Sequence, residues 1–331
     1  MDSPIGLTAG PVILTVPKCL YNFGTVSMYL LRRLLFMLPI LYCVSTLVFF
    51  LIHTIPGNPV DLILGEQALA GDKEILRRQL NLDHPIWQQQ FYYIDNLMQG
   101  DWGQSLFTRR PVLSMIAERY PATLQLASAA MMMAFIIAFP LGLLAALKKN
   151  SLWDFGSMMG ALLGISMPHF WLGPLLVLLF SIQLDWFPVS GRDLPGSIVL
   201  PALTLGTAMA ALLSRMLRAS LLDVLKEDYL KSARAKGLRE GVVILKHGVR
   251  NALNPVVSII GLQIGTLLAG AIVTEKIFSW PGIGLLLLDS IYRRDYPVVQ
   301  GCLLVVAMSY VIVNVLTDFI YKKLDPRVQL G

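Results

Sequence analysis

The sequence predicts an all-α polytopic membrane protein with six transmembrane helices. Hydrophobic residues make up 55% of the 331 residues and charged residues only 15%, and the mean hydropathy is +0.64. A soluble domain carries about 25% charged residues, so this composition excludes an ordinary soluble domain. Six segments are also apolar over the roughly 20 residues that a helix needs to cross a bilayer.

The predicted spans are separated by more polar connections. They cover residues 34–52, 123–147, 155–184, 194–214, 252–274 and 296–317. The third is longer than one straight span requires, and it contains Pro168 and Pro174. Proline lacks the amide hydrogen that a helix interior uses, so we expect a kink or an interfacial end there.

The domain boundaries follow from these spans. Residues 1–27 contain an apolar run of about ten residues, too short to cross a bilayer, and we expect a poorly ordered extension. Residues 28–53 are predicted to form the first transmembrane helix, 54–118 an extracytoplasmic loop region, 119–323 a core of five spans that includes residues 215–250, and 324–331 a cytoplasmic tail. The loop region contains three predicted helices, at 60–68, 73–80 and 86–98. We expect it to cap the bundle; a docking surface for an external partner is the alternative.

Short-loop charge predicts the orientation. Basic clusters at 32–33, 148–149, 215–250 and 322–323 fall on one side if six helices alternate. Cytoplasmic loops carry an excess of lysine and arginine, so both termini are predicted to be cytoplasmic. Arg293 and Arg294 lie on the opposite side and depart from this trend.

The most informative stretch of the chain is residues 228–255, most of which belong to the charged segment, residues 215–250. The charged segment carries nine lysine or arginine residues against four acidic ones, which accounts for most of the net charge of +6. Apolar residues at helical spacing predict that the fourth span continues as an amphipathic helix to Leu230. Small and basic residues follow up to Gly237, which fits the left-handed position after a helix. The pattern predicts two short helices with a glycine corner. They either dock an acidic partner surface or contact lipid headgroups.

Several kinds of chemistry are missing from the sequence. It has no Gly-x-x-x-x-Gly-Lys-Ser/Thr phosphate loop, no His-Glu-x-x-His and no Gly-x-Ser-x-Gly motif. We therefore predict no catalytic residue, no metal and no cofactor, and the four dispersed histidines agree with this. Proton-driven carriers place ionisable residues inside their spans, and few occur here. A transport module without its own catalysis is favoured over a self-powered secondary carrier or an intramembrane enzyme.

The charged segment resembles the cytoplasmic loop of ABC importer membrane subunits, which carries a Glu-Ala-Ala-x-x-x-Gly signature. Only Ala233 and Gly237 agree with the general form, and Lys231 stands where the signature has glutamate. Residues 228–238 match a variant, Asp-Tyr-x-x-x-Ala-x-Ala-Lys-Gly-Leu, that is similar to the dipeptide and oligopeptide permease family.

Further motifs resemble the same family, in the same order, between about residues 28 and 327. They are IPGNP at 55–59, GDWGQS at 100–105, MPHFWLG at 167–173, PVSG at 188–191, EKIFSWPGIG at 275–284 and RDYPVVQG at 294–301. Their order identifies the chain as similar to the first of two membrane subunits, the one with a long loop after its first span.

The resemblance implies a type I ABC importer permease with six spans in the bacterial inner membrane. Its implied partners are a second related permease subunit, two cytoplasmic ATPase subunits that bind the ATP, and an extracytoplasmic substrate-binding protein, but no nucleic acid. Its implied cargo is a di- or oligopeptide, with nickel chelates, glutathione or haem as alternatives. The charged segment would be the coupling helix that contacts an ATPase, and alternating access would follow.

The resemblance also implies three groups of site residues. The predicted ATPase-coupling residues are Asp228, Tyr229, Lys231, Ser232, Ala233, Arg234, Ala235, Lys236, Gly237 and Leu238. The predicted motif at the entry of the fifth span comprises His247, Arg250, Asn251 and Pro255. The predicted outer gate or docking element comprises Phe278, Ser279, Trp280, Pro281, Gly282, Arg294 and Asp295. An interfacial anchor is the alternative role for Trp280.

Overall fold

Every regular element that the computed structural model describes is a helix. It describes residues 35–50, 54, 59–65, 67–79 and 82–324. The helices are α1 (Leu35–Phe50), α2 (Pro59–Leu64), α3 (Ala70–Gln79), α4 (Ile86–Met98), α5 (Val112–Leu147), α6 (Leu152–Ser166), α7 (His169–Leu176), α8 (Val199–Val224), α9 (Asp228–Ala235), α10 (Glu240–Val242), α11 (Val249–Ile277), α12 (Ile283–Arg293) and α13 (Tyr296–Leu324). π-helical stretches continue α7 over Val177–Gln183 and lead into α11 over Val243–Gly248.

The predicted spans are recovered in part among these residues. Three helices, Val112–Leu147, Val199–Val224 and Tyr296–Thr317, are long and apolar enough to cross a membrane, and up to five spans result if each of two bent pairs counts as one. One bent pair is the predicted kink, because α6 and the segment His169–Gln183 turn by 107° at Pro168. The other is a 47° bend within α11. The first predicted span is described only over Leu35–Phe50.

Several predicted boundaries differ from the structure. Helix α5 begins at Val112 rather than at residue 123, so the predicted loop region 54–118 ends inside a helix. Helix α8 ends at Val224, so the amphipathic continuation to Leu230 is wrong as a single helix. The extension 1–27, residues 28–34, the IPGNP residues 55–58 and the tail beyond 324 lie outside the described residues.

The centre of the core is the contact between α5 and α8. Five residues at four-residue spacing on α5 are buried in it, and all but Leu126 are alanines: Ala122, Leu126, Ala130, Ala134 and Ala138. On α8, a Cβ added to Gly206 would lie 2.7 Å from the carbonyl oxygen of Ala130. Small side chains allow this close backbone approach, the usual way in which helices associate in membranes.

The bundle has two ends with different chemistry. At one, which we call the basic end, α5 terminates before Lys148, and Asp154 of α6 accepts two hydrogen bonds from Arg218 of α8, at 2.6 and 2.7 Å. At the other, which we call the loop end, residues 101–111 contact the α12–α13 corner. Helix α11 has 29 residues and extends over about 40 Å at 1.5 Å per residue, so it connects the two ends.

Candidate functional site

Helix α9 projects from the basic end and contains most of the predicted coupling residues. Its one fully buried side chain is Leu230. This side chain lies near Gly248 and Leu221 of α8, because a Cβ added to Gly248 would be 3.9 Å from Leu230 Cδ1 and 3.6 Å from Leu221 Cδ1. The chain therefore stops helix α8 at Val224, turns through Glu227 in an extended conformation, and restarts as α9. Burial of Leu230 against these neighbours outweighs the local helical periodicity, which is a weaker effect.

A hydrogen-bonded tyrosine fixes the position of α9 relative to the entry of α11. The Nδ2 group of Asn251 donates to the Tyr229 hydroxyl at 2.7 Å, and that hydroxyl donates to the His247 carbonyl at 3.4 Å. The structure therefore brings three predicted residues from two different motifs together. Arg250 is exposed, and Pro255 lies inside α11, one turn after Asn251.

Gly237 ends α9 as the sequence predicts. Its φ angle is +78°, its N–H donates to the Arg234 carbonyl at 2.9 Å, and the Leu238 N–H donates to the Ala233 carbonyl at 3.4 Å. This pair of bonds is the Schellman arrangement that glycine favours. A Cβ at Gly237 would meet nothing within 4 Å, so the turn, and not packing, requires glycine here.

The remaining side chains of α9 face outward. Asp228 pairs with Lys231 at 2.7 Å, and Arg234 pairs with Glu240 at 2.8 Å. These hydrogen bonds lower the pKa of Asp228 and of Glu240. Exposed pairs of this kind add little stability, so they order the surface and leave it available. Ala233 is half-buried, and the other exposed residues of this surface are Ser232, Ala235, Lys236, Gly237, Leu238 and Arg239.

At the loop end, a buried carboxylate joins three helices. Glu275, at the end of α11, is 0% exposed. Its Oε1 accepts from the Thr123 hydroxyl of α5 at 2.6 Å, and its Oε2 accepts from the Leu285 N–H at the start of α12 at 3.0 Å. Thr123 Oγ1 also accepts from the Ile283 N–H at 2.8 Å. We call this arrangement the Glu275 cap, because it satisfies amide groups that a helix N-terminus leaves open.

Gly282 is required by the Glu275 cap. A Cβ on this residue would lie 2.1 Å from Glu275 Oε1, far inside contact distance. Gly284 is similarly restricted, since its Cβ would lie 2.5 Å from the Cα of Ile272. The EKIFSWPGIG motif alone does not indicate the roles of Glu275 and Thr123, because these two residues are 152 positions apart in the sequence.

The aromatic residues of this motif are buried inside the chain. Phe278 and Trp280 are each 1% exposed, and Trp280 Nε1 donates to the Ala122 carbonyl at 2.8 Å. The interfacial-anchor role for Trp280 is therefore wrong. The Phe278 carbonyl accepts from the Gly191 N–H at 2.9 Å, which joins the PVSG motif to the same cluster. In this conformation Ser279 and Pro281 are the more accessible residues of the turn.

Asp295 joins two further motifs. Its carboxylate accepts from the Ser105 hydroxyl at 2.5 Å and from the Leu106 N–H at 3.0 Å, and it is 4% exposed. It therefore attaches the GDWGQS loop to the RDYPVVQG corner. The preceding Arg294 ends α12 in the left-handed conformation, with φ +56°. The predicted gate residues thus fall into two groups. Phe278, Trp280 and Gly282 are buried near the Glu275 cap, whereas Asp295 is a structural contact between the 101–111 loop and the α12–α13 corner.

Known proteins share this fold and these motifs. A family model described as binding-protein-dependent transport system inner membrane component matches residues 138–330, and the model of the N-terminal part of such components matches residues 26–127. The glutathione transport system permease proteins GsiC of Escherichia coli K12 and of Shigella dysenteriae serotype 1 are each 46% identical over 301 residues, which is 91% of this chain and 98% of the relative.

The fold of this chain, though not its sequence, is similar to that of a solved structure. It is a chain of the MetNI methionine ABC transporter in inward-facing conformations, with a TM-score of 0.56 and 17% identity, covering 64% of this chain and 97% of that chain. The described helices and this likeness define a multi-pass membrane subunit of the type I permease fold.

The chain belongs to the family of binding-protein-dependent transport system inner membrane components. It is a permease subunit of an ABC importer in the inner membrane, and such subunits are the membrane components and not the ATPases. ATPase subunits and a substrate-binding protein are therefore its partners. This assignment confirms the transport module and excludes the secondary carrier and the intramembrane enzyme.

Proposed function

We propose that the exposed surface of α9 is the coupling surface that contacts an ATPase subunit. The observation that carries this proposal is the combination of one buried anchor, Leu230, with outward-facing small and basic side chains. A helix that only lay on lipid would present apolar residues outward. Most of the exposed residues of α9 are instead polar or small, namely Asp228, Lys231, Ser232, Arg234 and Ala235. Tyr229 and, just beyond the helix, Leu238 are the larger exposed side chains of this surface.

A valine at Gly237 tests this proposal. Gly237→Val places a branched side chain where no other atom of this chain lies within 4 Å of the new Cβ. Apart from backbone strain in the turn, any clash of this side chain must therefore be with a partner. We expect uptake to fall by at least tenfold while membrane insertion persists, because ATP hydrolysis no longer drives the spans.

The matched control for this variant is Gly65→Val. Gly65 also has a positive φ, +86°, and open space around a Cβ, so it carries the same left-handed strain of about 1–2 kcal/mol away from α9. Normal uptake in the Gly237 variant, or an equal loss in both variants, would remove the coupling assignment.

We also propose the arrangement of the complex. The chain pairs with a second, related permease subunit, and two ATPase subunits bind at the basic end. Both termini and the basic end lie in the cytoplasm, and the loop end faces the binding protein. The excess of basic residues at 148–149 and in the charged segment supports this orientation. A cysteine at Ser279, which is exposed at the loop end, should react with impermeant reagent from outside only.

We propose short peptides as the cargo. The family motifs support di- or oligopeptides, and the relatives at 46% identity are named glutathione permeases, which makes glutathione, itself a tripeptide, the second candidate. Uptake of labelled dipeptides, oligopeptides, glutathione and nickel in a strain lacking this chain separates these cargoes. Restoration of nickel uptake alone would contradict a peptide cargo.

We propose that the cargo path opens and closes by alternating access. Movement of α9 would pass along α11, which joins both ends, and the Glu275 cap would hold α5, α11 and α12 together during that movement. Rigid-body motion of packed helices is a known form of such transitions.

A further inference from the structure

A recess at the loop end is lined in part by Ser105 and Asp295, but the arginines that also line it have no role in the contacts described so far. It has a volume of about 240 Å³ and lies between the 105–110 loop, the first turns of α5, and α12. Three arginines from these three elements line it, namely Arg110, Arg119 and Arg293. Such a concentration of guanidinium groups indicates an anionic ligand.

Of the two acidic groups that line the recess, Asp289 is in an ion pair with Lys276 at 2.8 Å. The other, Asp295, accepts hydrogen bonds from two neutral donors, the Ser105 hydroxyl and the Leu106 N–H, and makes no ion pair within the described residues. Arg110 pairs with Glu118. Within the described part of the chain, neither Arg119 nor Arg293 makes an ion pair. Two guanidinium groups therefore remain available to a ligand.

The recess is held by rigid structure. The Arg110 carbonyl accepts from the Ser105 N–H at 2.9 Å, and the Ser105 hydroxyl donates to Asp295, so the loop is fixed to the α12–α13 corner. Arg119 and Arg293 project from α5 and α12. Both side chains are exposed, and a guanidinium group can bind a carboxylate through two parallel hydrogen bonds.

The size and place of the recess select its ligand. Small-molecule pockets usually measure about 300–1,000 Å³, so 240 Å³ suits a side-chain carboxylate better than a whole cargo molecule. Basic residues at this end also run against the charge distribution that sets the orientation, so topology does not explain them.

We propose that this recess binds an aspartate or glutamate side chain of the substrate-binding protein. The proposal rests on the orientation under Proposed function, in which the loop end faces that protein. The arginines would attract the acidic surface and fix its register, which is the usual effect of charges at an interface rim.

The test is a titration of the reconstituted importer with its cargo-loaded binding protein, with ATP hydrolysis as the readout. Arg119→Ala with Arg293→Gln should raise the half-saturating concentration of binding protein about 5- to 20-fold at low salt, as lost charge-assisted contacts predict. The difference in half-saturating concentration between the variant and the parent should shrink at high salt, because salt screens the attraction between the importer and the binding protein. Each single variant should show a smaller shift.

Arg77→Ala is the matched control. Arg77 is an exposed arginine on α3, in the same loop region but outside the recess, and its half-saturation should stay within twofold of the parent. An equal shift in this control would contradict the proposal, as would an unchanged half-saturation in the double variant. A lower rate at saturation without a shift would assign the arginines to folding or to cargo instead. If the parent complex shows no stimulation by any binding protein, the proposed function itself fails.

Discussion

Replacing Thr123 with valine should weaken the loop end more than its single lost hydroxyl suggests. Valine keeps nearly the shape of threonine, so the change isolates hydrogen bonding. The Thr123 hydroxyl serves two buried groups, Glu275 Oε1 at 2.6 Å and the Ile283 N–H at 2.8 Å, and both lose a partner in the variant.

The expected magnitude follows from these two losses. A hydrogen bond to a carboxylate contributes about 1.5–3 kcal/mol, and a buried N–H left without an acceptor costs about 1–3 kcal/mol. Thr123 is only 6% exposed and Glu275 is 0% exposed, so water does not easily replace the hydroxyl. We expect Thr123→Val to lower the free energy of unfolding by about 3–5 kcal/mol.

Thr204→Val is the control for this measurement. Thr204 is also buried, at 0% exposure, but its hydroxyl donates only to the Leu200 carbonyl of its own helix, at 2.8 Å. That carbonyl keeps its helical partner, so the loss should stay below about 1 kcal/mol. Unfolding of the purified protein in mixed micelles with increasing denaturing detergent measures both variants. Equal midpoints for the two would refute the Glu275 cap as a strong contact.

Two further predictions concern contacts that hold helices together, one in the Glu275 cap and one at the basic end. Gly282→Ala puts a Cβ 2.1 Å from Glu275 Oε1, so the carboxylate must leave its partners and the unfolding midpoint should fall as in Thr123→Val. The control is Gly156→Ala, whose Cβ meets nothing within 4 Å and should leave the midpoint unchanged or raise it. Equal midpoints for the two glycine variants would contradict the clash. Asp154→Asn leaves Arg218 without its carboxylate partner. The Asp154 side chain is 7% exposed, but that of Arg218 is 25% exposed and can be partly solvated, so the free energy of unfolding should fall by about 1–2 kcal/mol. A double-mutant cycle with Arg218→Met that shows no coupling energy would contradict this prediction.

Local features of the site could be predicted from the sequence. Gly237 was predicted to end a helix, and it does so, because the Schellman arrangement involves only neighbouring residues. The third helix of the loop region was predicted at 86–98 and is found at Ile86–Met98. The break at Pro168 was likewise predicted from the chemistry of one residue.

Contacts between distant residues could not be predicted in the same way. The Glu275 cap joins residues that are 152 and 160 positions apart, and the burial of Trp280 depends on Ala122, 158 positions away. An amphipathic pattern also cannot show that α8 stops at Val224, because the burial of Leu230 beside Gly248 decides where the helix turns. Sequence periodicity reports faces of helices, whereas these outcomes depend on which faces meet.

The central claim is that α9 contacts an ATPase subunit, and cross-linking tests it most directly. Ser232 is exposed on α9, and a photoreactive residue in its place should form a covalent adduct with the ATPase subunit in the assembled, membrane-embedded importer. The yield should change when ATP binding closes the ATPase subunits. Adducts with lipid alone, in a complex that still imports cargo, would contradict the claim.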